Sequence, residues 1–171
     1  RVTFDTPRLG SQNIPPIHTH AECQNMLPPG LRYISEFITK EEERAMLAHI
    51  DADQWQTSLG RRTQQRGKLF SYTTHRLEDL PPPLDQIPSY YTAIVARIKY
   101  RFSPIFPRDP DQCIVNEYVG DQGINPHIDK PELFDESIVS LTLAGAAGMV
   151  FDPVHTRQGH QPLGLLGIEF S

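Results

Sequence analysis

The sequence predicts an α+β fold in which helices come first and a run of strands follows, closing as an antiparallel sheet or barrel. Three observations carry this expectation. Thr39-Lys40-Glu41-Glu42 has the form of a capping box opening a helix. Tyr91, Ile94, Val95, Ile98 and Phe102 recur at helical spacing. From Gln112 onward the texture changes to short runs that read as strands. The chain has 171 residues, enough for one domain with a real core.

Residues 1–29 are rich in Pro, His, Asn and Gln and lack periodicity, so they read as an extended or disordered lead-in to a domain spanning 30–171. Leu31 to Ile34 reads as a short strand. Thr39 is the expected N-cap of a helix over 40–51, and Glu41, Glu42 and Glu43 suit the positive end of its dipole. Gly60 and Gly67 punctuate a less regular stretch in which Lys68 to Thr73 reads as a strand. Pro81-Pro82-Pro83 is a stiff break, and a second helix is expected over 89–102. Cys113 to Tyr118 is strand-like. Ser137 to Leu143 alternates, with Ile138, Ser140 and Thr142 toward one side and Val139, Leu141 and Leu143 toward the other. Gly148 to Phe151 and Leu163 to Phe170 complete the expected strands.

Composition excludes several classes. Apolar content is 38% and charged content 22%, ordinary for a globular protein. No apolar run reaches the length of about 18 residues that a membrane helix needs, and no apolar stretch follows Arg1 to Gly10 as a signal peptide would require. The two cysteines, Cys23 and Cys113, form neither a metal spacing nor a disulfide framework. A monomer in a reducing compartment, cytoplasm or nucleus, is the expectation. Net charge is −5, yet the span from Gln54 to Leu77 holds five cations (Arg61, Arg62, Arg66, Lys68, Arg76) and no acid. A phosphate backbone responds to such a local field, so this segment is a candidate nucleic-acid contact.

The segment that carries chemistry runs from Asn116 to Asp129, N-E-Y-V-G-D-Q-G-I-N-P-H-I-D. His127 and Asp129 form an H-x-D pair. On a strand, positions i and i+2 share a face, so an imidazole and a carboxylate would converge on one point. These are two of the three ligands of a 2-His-1-carboxylate triad, the arrangement suited to non-haem Fe(II) oxygenases. By the same alternation Ile114, Asn116 and Tyr118 share a face, offering one apolar wall and two polar anchors, as a small dicarboxylate pocket needs.

Together with the later I-x-S-x-T-L of Ile138 to Leu143, this string resembles the AlkB family of Fe(II)/2-oxoglutarate dioxygenases. The match is most specific over about 116–143 and looser from Gly30 to Phe151. Arg61-Arg62-Thr63-Gln64-Gln65-Arg66-Gly67, followed by Tyr72, looks like a segment of that family's nucleotide-recognition lid. The resemblance implies a double-stranded β-helix core of jelly-roll type, with Fe(II) and 2-oxoglutarate as cofactors and dioxygen as co-reactant. It implies that His127 and Asp129 hold iron, that Asn116 and Tyr118 hydrogen-bond 2-oxoglutarate, and that Ile114 and Ser140 line the same pocket. Arg62, Gln65 and Tyr72 would contact the target, and the implied reaction is oxidative demethylation or hydroxylation of DNA, RNA or tRNA. An oxygenase acting on protein or lipid and an inactive interaction module are the alternatives.

The sequence departs from the family pattern near its end. The family places a second histidine about 40–60 residues after the H-x-D, with an arginine following it. His155 and His160 are too close and lie in a turn-rich stretch, and no Arg or Lys follows Arg157. With Arg1 rather than Met at its start, the chain is expected to be a fragment of a working enzyme, with a C-terminally incomplete core and little activity on its own.

Overall fold

The structure is a computed structural model that describes residues 2–8, 29–71, 73–106, 108–130, 132–134, 137–145, 149, 151 and 165–168. Its elements are strand β1 (Val2–Arg8), strand β2 (Arg32–Tyr33), helix α1 (Lys40–Ala52), strands β3 (Arg62–Ser71) and β4 (Arg76–Asp79), a 3-10 turn (Ser89–Tyr91) leading into helix α2 (Thr92–Phe102), and strands β5 (Gln112–Val119), β6 (Ile138–Thr142) and β7 (Leu165–Ile168). The strands form one sheet in the order β2-β7-β6-β1-β5-β3-β4.

The α+β class holds, but the sheet is mixed rather than antiparallel throughout. β3 pairs antiparallel with β4 and β5, whereas β1–β5, β1–β6, β6–β7 and β2–β7 are parallel. Alternation in a sequence fixes which face is buried; it does not fix a neighbour's direction. The stretch between β5 and β6 is longer than the dozen or so residues a parallel crossover requires, so a hairpin there was not obligatory. Val2–Arg8, read from sequence as lead-in, is a strand between β5 and β6. Its proline, Pro7, falls beyond the stretch paired with β6, where the missing N–H interrupts one ladder rather than two. Met149 and Phe151 lie in no strand, while Gly148 and Val150 are outside the described residues.

Helix α1 begins as its sequence dictates. Thr39 Oγ1 accepts from the Glu42 N–H at 3.2 Å and Glu42 Oε2 accepts from the Thr39 N–H at 2.8 Å, closing the capping box. Met46 and Ile50, four residues apart, are its buried positions, and Ile94, Ile98 and Phe102 are those of α2. Both stripes pack on one face of the sheet. The resulting core joins them to Phe37, Ile38 and Tyr91 and to the odd-numbered residues Cys113 and Val115 of β5 and Val139 and Leu141 of β6, with Leu143 just beyond. Burial among these groups pushes the Cys113 thiol up to about 12.

Arg97 on α2 fastens the two helices: Nη1 donates to the Phe37 carbonyl at 2.7 Å and to Glu42 Oε2 at 3.1 Å, and Nη2 donates to Glu42 Oε1. Arg97, and secondarily the Thr39 N–H, holds the Glu42 carboxyl below its ordinary value. A depressed folded value means the stabilisation is complete above the unfolded value of 4.5 and is lost as pH falls through the folded one. The pair is partly exposed, so its contribution is under about 1 kcal/mol. The Tm difference between the wild type and Glu42→Gln is expected at pH 7 and should close below pH 4; a difference unchanged by acid would contradict this.

Candidate active site

The face of β5 turned away from the helices carries the residues the sequence singled out. The antiparallel register pairs Thr63 with Asn116 and Gln65 with Ile114, which sets these four residues and Tyr118 on one face. Asn116 is buried, while Ile114, Tyr118 and Gln65 are half-buried. Ser140 is buried on β6, and its register partner on β1, Thr3, also pairs with Ile114, so Ser140 lies level with Ile114 on that face.

Arg61, just before β3, occupies this face. Its Nε–H donates to Asn116 Oδ1 at 2.8 Å, and its guanidinium carbon lies 5.8 Å from the centre of the Tyr118 ring. From the sequence, Arg61 is one cation of a basic segment and part of the lid-like Arg61–Gly67 run, with no role of its own. The signal that could have found it was parity, since Arg61, Thr63 and Gln65 alternate onto the face that Asn116 shares.

Arg62, also a candidate target contact from the sequence, has the opposite parity to Gln65. It lies on the helix side, where Nε and Nη2 donate to the two carboxylate oxygens of Glu117 at 2.6 and 2.7 Å. Its guanidinium also stacks 4.2 Å from the Trp55 ring centre. Glu117 is its direct cross-strand partner and is buried. Arg62→Ala would remove the bidentate partner of that buried carboxylate, an effect of about 2–3 kcal/mol given partial solvent access to the arginine. Lysine cannot reproduce the fork and should recover less than half. Urea unfolding checks both, and an alanine variant as stable as wild type would refute the pairing. Tyr72 lies outside the described residues, as do His155 and His160.

The pairing extends along the basic segment. Arg66 pairs with Asp53 and Lys68 with Asp79, in addition to Arg62 with Glu117. Three of the five cations are therefore compensated: the sequence window contained no acid, but the fold brings acids to it from α1's end, β4 and β5.

His127 and Asp129 sit in an irregular stretch after β5 rather than on a strand. Pro126 lacks the N–H a ladder needs, which disfavours continued pairing. Convergence is nonetheless achieved. His127 Nδ1 lies 2.8 Å from the Asn125 carbonyl, and His127 Nε2 lies 3.7 Å from Asp129 Oδ1. Donation from Nδ1–H to a carbonyl fixes the tautomer that leaves an Nε2 lone pair, the usual support of a metal-binding histidine. An imidazole nitrogen and a carboxylate oxygen side by side fit a divalent iron's donor preference. Among the described residues, no third His, Cys, Asp or Glu joins them into a metal-holding group. The far end of this stretch is tied to β3: Lys130 Nζ lies 5.9 Å and the Phe134 ring 6.3 Å from the Phe70 ring centre.

The family model described as the 2OG-Fe(II) oxygenase superfamily matches residues 30–165, well over half of the chain. The chain belongs to this superfamily, as an AlkB-like member. Fe(II) and 2-oxoglutarate are the cofactors this AlkB-like family implies. Relatives of this AlkB-like chain include the alkylated DNA repair protein ALKBH8 homolog of Arabidopsis thaliana, 39% identical over 128 residues that make up 72% of this chain and 36% of that protein. The tRNA (carboxymethyluridine(34)-5-O)-methyltransferase alkbh8 of Xenopus tropicalis is 33% identical over 129 residues, 73% of this chain and 20% of that protein. The human alpha-ketoglutarate-dependent dioxygenase alkB homolog 4 is 31% identical over 123 residues, 67% of this chain and 38% of that protein. The AlkB-like chain thus spans between a fifth and two fifths of the length of these relatives. No helix among its described residues is long and apolar enough to cross a membrane.

Proposed function

We propose that this chain forms the iron- and cosubstrate-binding part of a 2-oxoglutarate-dependent dioxygenase that demethylates or hydroxylates nucleic acid, built on a double-stranded β-helix. The observation that carries the proposal is the His127–Asp129 pair, with Nε2 turned to the carboxylate and Nδ1 held by the Asn125 carbonyl. Iron bound there together with 2-oxoglutarate supplies the oxidation of a C–H bond by dioxygen, with succinate and carbon dioxide as co-products.

The chain's own residues have separate tasks in this reading. The Asn125 carbonyl keeps the His127 proton on Nδ1 and so keeps Nε2 available as a ligand. Asp129 supplies a negative charge that favours a divalent cation. Asn116 and Tyr118 anchor 2-oxoglutarate by hydrogen bonds, Ile114 excludes water from its methylene side, and Ser140 borders the same pocket. Gln65, on the same face, is the better placed of the proposed target contacts, because Arg62 is held by Glu117. Phe70, packed against Phe134 and Lys130, fixes the stretch that bears the ligands.

Two relatives bear names that concern alkylated DNA and tRNA, which supports a nucleic-acid target. A second reading, an oxygenase acting on protein, draws on the pairing of Arg62, Arg66 and Lys68 with acids, which lowers the field offered to phosphates. The deciding assay supplies the protein at its full natural length with Fe(II), 2-oxoglutarate and short methylated RNA or DNA, and measures succinate and formaldehyde. Succinate that rises with nucleic acid is expected. A rise with peptides alone would favour the second reading, and an absence of succinate despite bound metal would sink the oxygenase assignment.

A further inference from the structure

We infer that Phe70 is a positioning residue for the iron pair, coupling the β3–β4 hairpin to the stretch that bears His127 and Asp129; this deepens the oxygenase reading above and rests on it. No residue from Gly120 to Lys130 belongs to a strand or helix, and Gly120 to Ile128 are exposed. Such a stretch has no regular ladder to hold two ligands within the tolerance of about 0.2 Å that metal binding demands. The contacts at its two ends therefore bear directly on where the ligands sit. At the β5 end, the Val119 N–H donates to Gln122 Oε1 at 2.9 Å. At the far end the chain folds back, because the Leu133 and Phe134 N–H groups both donate to the Lys130 carbonyl, at 3.0 and 3.2 Å. That turn brings Lys130 and Phe134 to one ring: Lys130 Nζ lies 5.9 Å from the Phe70 ring centre, and the Phe134 ring lies 6.3 Å from it at 50°.

Phe70 is itself fixed by the sheet. It pairs with Leu77 across the hairpin, and Gly67 of the same strand pairs with Gln112 of β5. The chain thereby closes a ring of contacts. β5 leads into the ligand-bearing stretch, the turn at Lys130 rests on Phe70, and the strand of Phe70 returns to β5. Asp129 directly precedes Lys130, so one Cα step of about 3.8 Å separates this anchor from a ligand. The His75 ring, 6.4 Å from Phe70 at 56°, joins the same ring from the hairpin's turn. An ammonium against a ring and rings tilted on one another are directional contacts, so Phe70 transmits position as well as bulk. Holding the two donors in place lowers the cost of ordering them when a cation binds. By linkage, a bound cation steadies the hairpin in return, and a target that steadies the hairpin tightens the metal site.

The test combines Mn(II) titration by electron paramagnetic resonance with amide hydrogen exchange at Leu69 to Ser71 and Arg76 to Asp79, on the protein at its full natural length. In the unmodified protein Mn(II) should slow exchange at these amides. Phe70→Ala should weaken Mn(II) by about tenfold, as loss of a partner outside the metal's own ligands does, and should uncouple hairpin exchange from the metal. Phe70→Leu keeps apolar bulk without the ring; it should show the same uncoupling and carries the test where alanine unfolds the protein. Phe70→Tyr, which keeps the ring, should restore both readouts. Lys68→Gln is the control: it removes the Lys68–Asp79 pair within the hairpin, so it should speed exchange there and leave Mn(II) affinity unchanged. Wild-type Mn(II) affinity in folded Phe70→Leu, or hairpin exchange indifferent to Mn(II) in the unmodified protein, would overturn the role of Phe70 while leaving the iron pair intact. Equal weakening by Lys68→Gln would also overturn it, by showing that general hairpin stability sets the site. No Mn(II) binding by the unmodified protein would overturn the oxygenase reading and the inference together.

Discussion

His127→Ala should weaken Mn(II) or Fe(II) binding by at least about a hundredfold, beyond the 10–100-fold typical of losing only an outer-sphere partner, and should abolish 2-oxoglutarate turnover. The imidazole is one of two donors that the described residues bring together, with Nε2 3.7 Å from Asp129 Oδ1. Removing it leaves the Asp129 carboxylate as the remaining donor of the pair. Asp129→Asn keeps the shape and loses the charge, so it should fall between wild type and alanine. The His127 side chain is exposed and that of Asp129 partly so, and neither belongs to the core, so Tm in the absence of metal should move little. That separation makes the experiment informative. Electron paramagnetic titration of Mn(II) reads the site directly, and metal affinity retained in His127→Ala would remove the pair from consideration as ligands.

The largest expected loss of stability comes from Gly67→Ala. Gly67 has φ +78, a conformation that costs a side-chain-bearing residue about 1–2 kcal/mol. A Cβ there would also overlap the Asp111 backbone carbonyl, which accepts a hydrogen bond from the Lys68 N–H at 3.1 Å, while the Gly67 N–H donates to Leu84 at 2.8 Å. Relief requires backbone movement at the point where β3 stops pairing with β5 and begins pairing with β4. The combined cost should be about 3–4 kcal/mol. Gly60→Ala is the control, because an added Cβ there meets nothing within 4 Å, and it should be neutral or slightly stabilising. Urea unfolding of the two variants decides the matter: equal midpoints would show that the close approach at Gly67 is relieved without cost.

Much of this was legible from the sequence because the signals are local. The capping box, the buried positions of both helices and the alternation of Ile138 to Leu143 are decided by near neighbours and by which face is apolar. The shared face of Asn116 and Tyr118 follows from parity alone. What was not legible depends on partners distant in the chain. β3 begins at Arg62, six residues before the expected Lys68, because its polar first half gains its ladder from β5 and bridges Gln56 through Thr63. The acids that pair with Arg62, Arg66 and Lys68 of the basic window are Glu117, Asp53 and Asp79. The direction of the β5–β1–β6 pairings has no signature in a single strand's pattern. His127 and Asp129 were expected to meet by strand alternation; they come within 3.7 Å of each other in an irregular stretch instead, where the Asn125 carbonyl holds His127 Nδ1.

The adjacent arginines before and at the start of β3 hold adjacent residues of β5, Arg61 to Asn116 and Arg62 to Glu117, on opposite sides of one sheet. Their identities are the same, so what distinguishes them is count. Between the Gln56–Thr63 bridge partners, the chain has a fixed number of residues in which to deliver the first guanidinium to one side and the second to the other. Deleting or inserting a single residue in that loop, with composition otherwise intact, would trade their destinations or leave one carboxylate and one amide unserved. Substitutions among Thr57, Ser58 and Leu59 are free by comparison. Length, more than sequence, is therefore the inherited property of this loop, and drift in it should accumulate as exchanges and not as gaps.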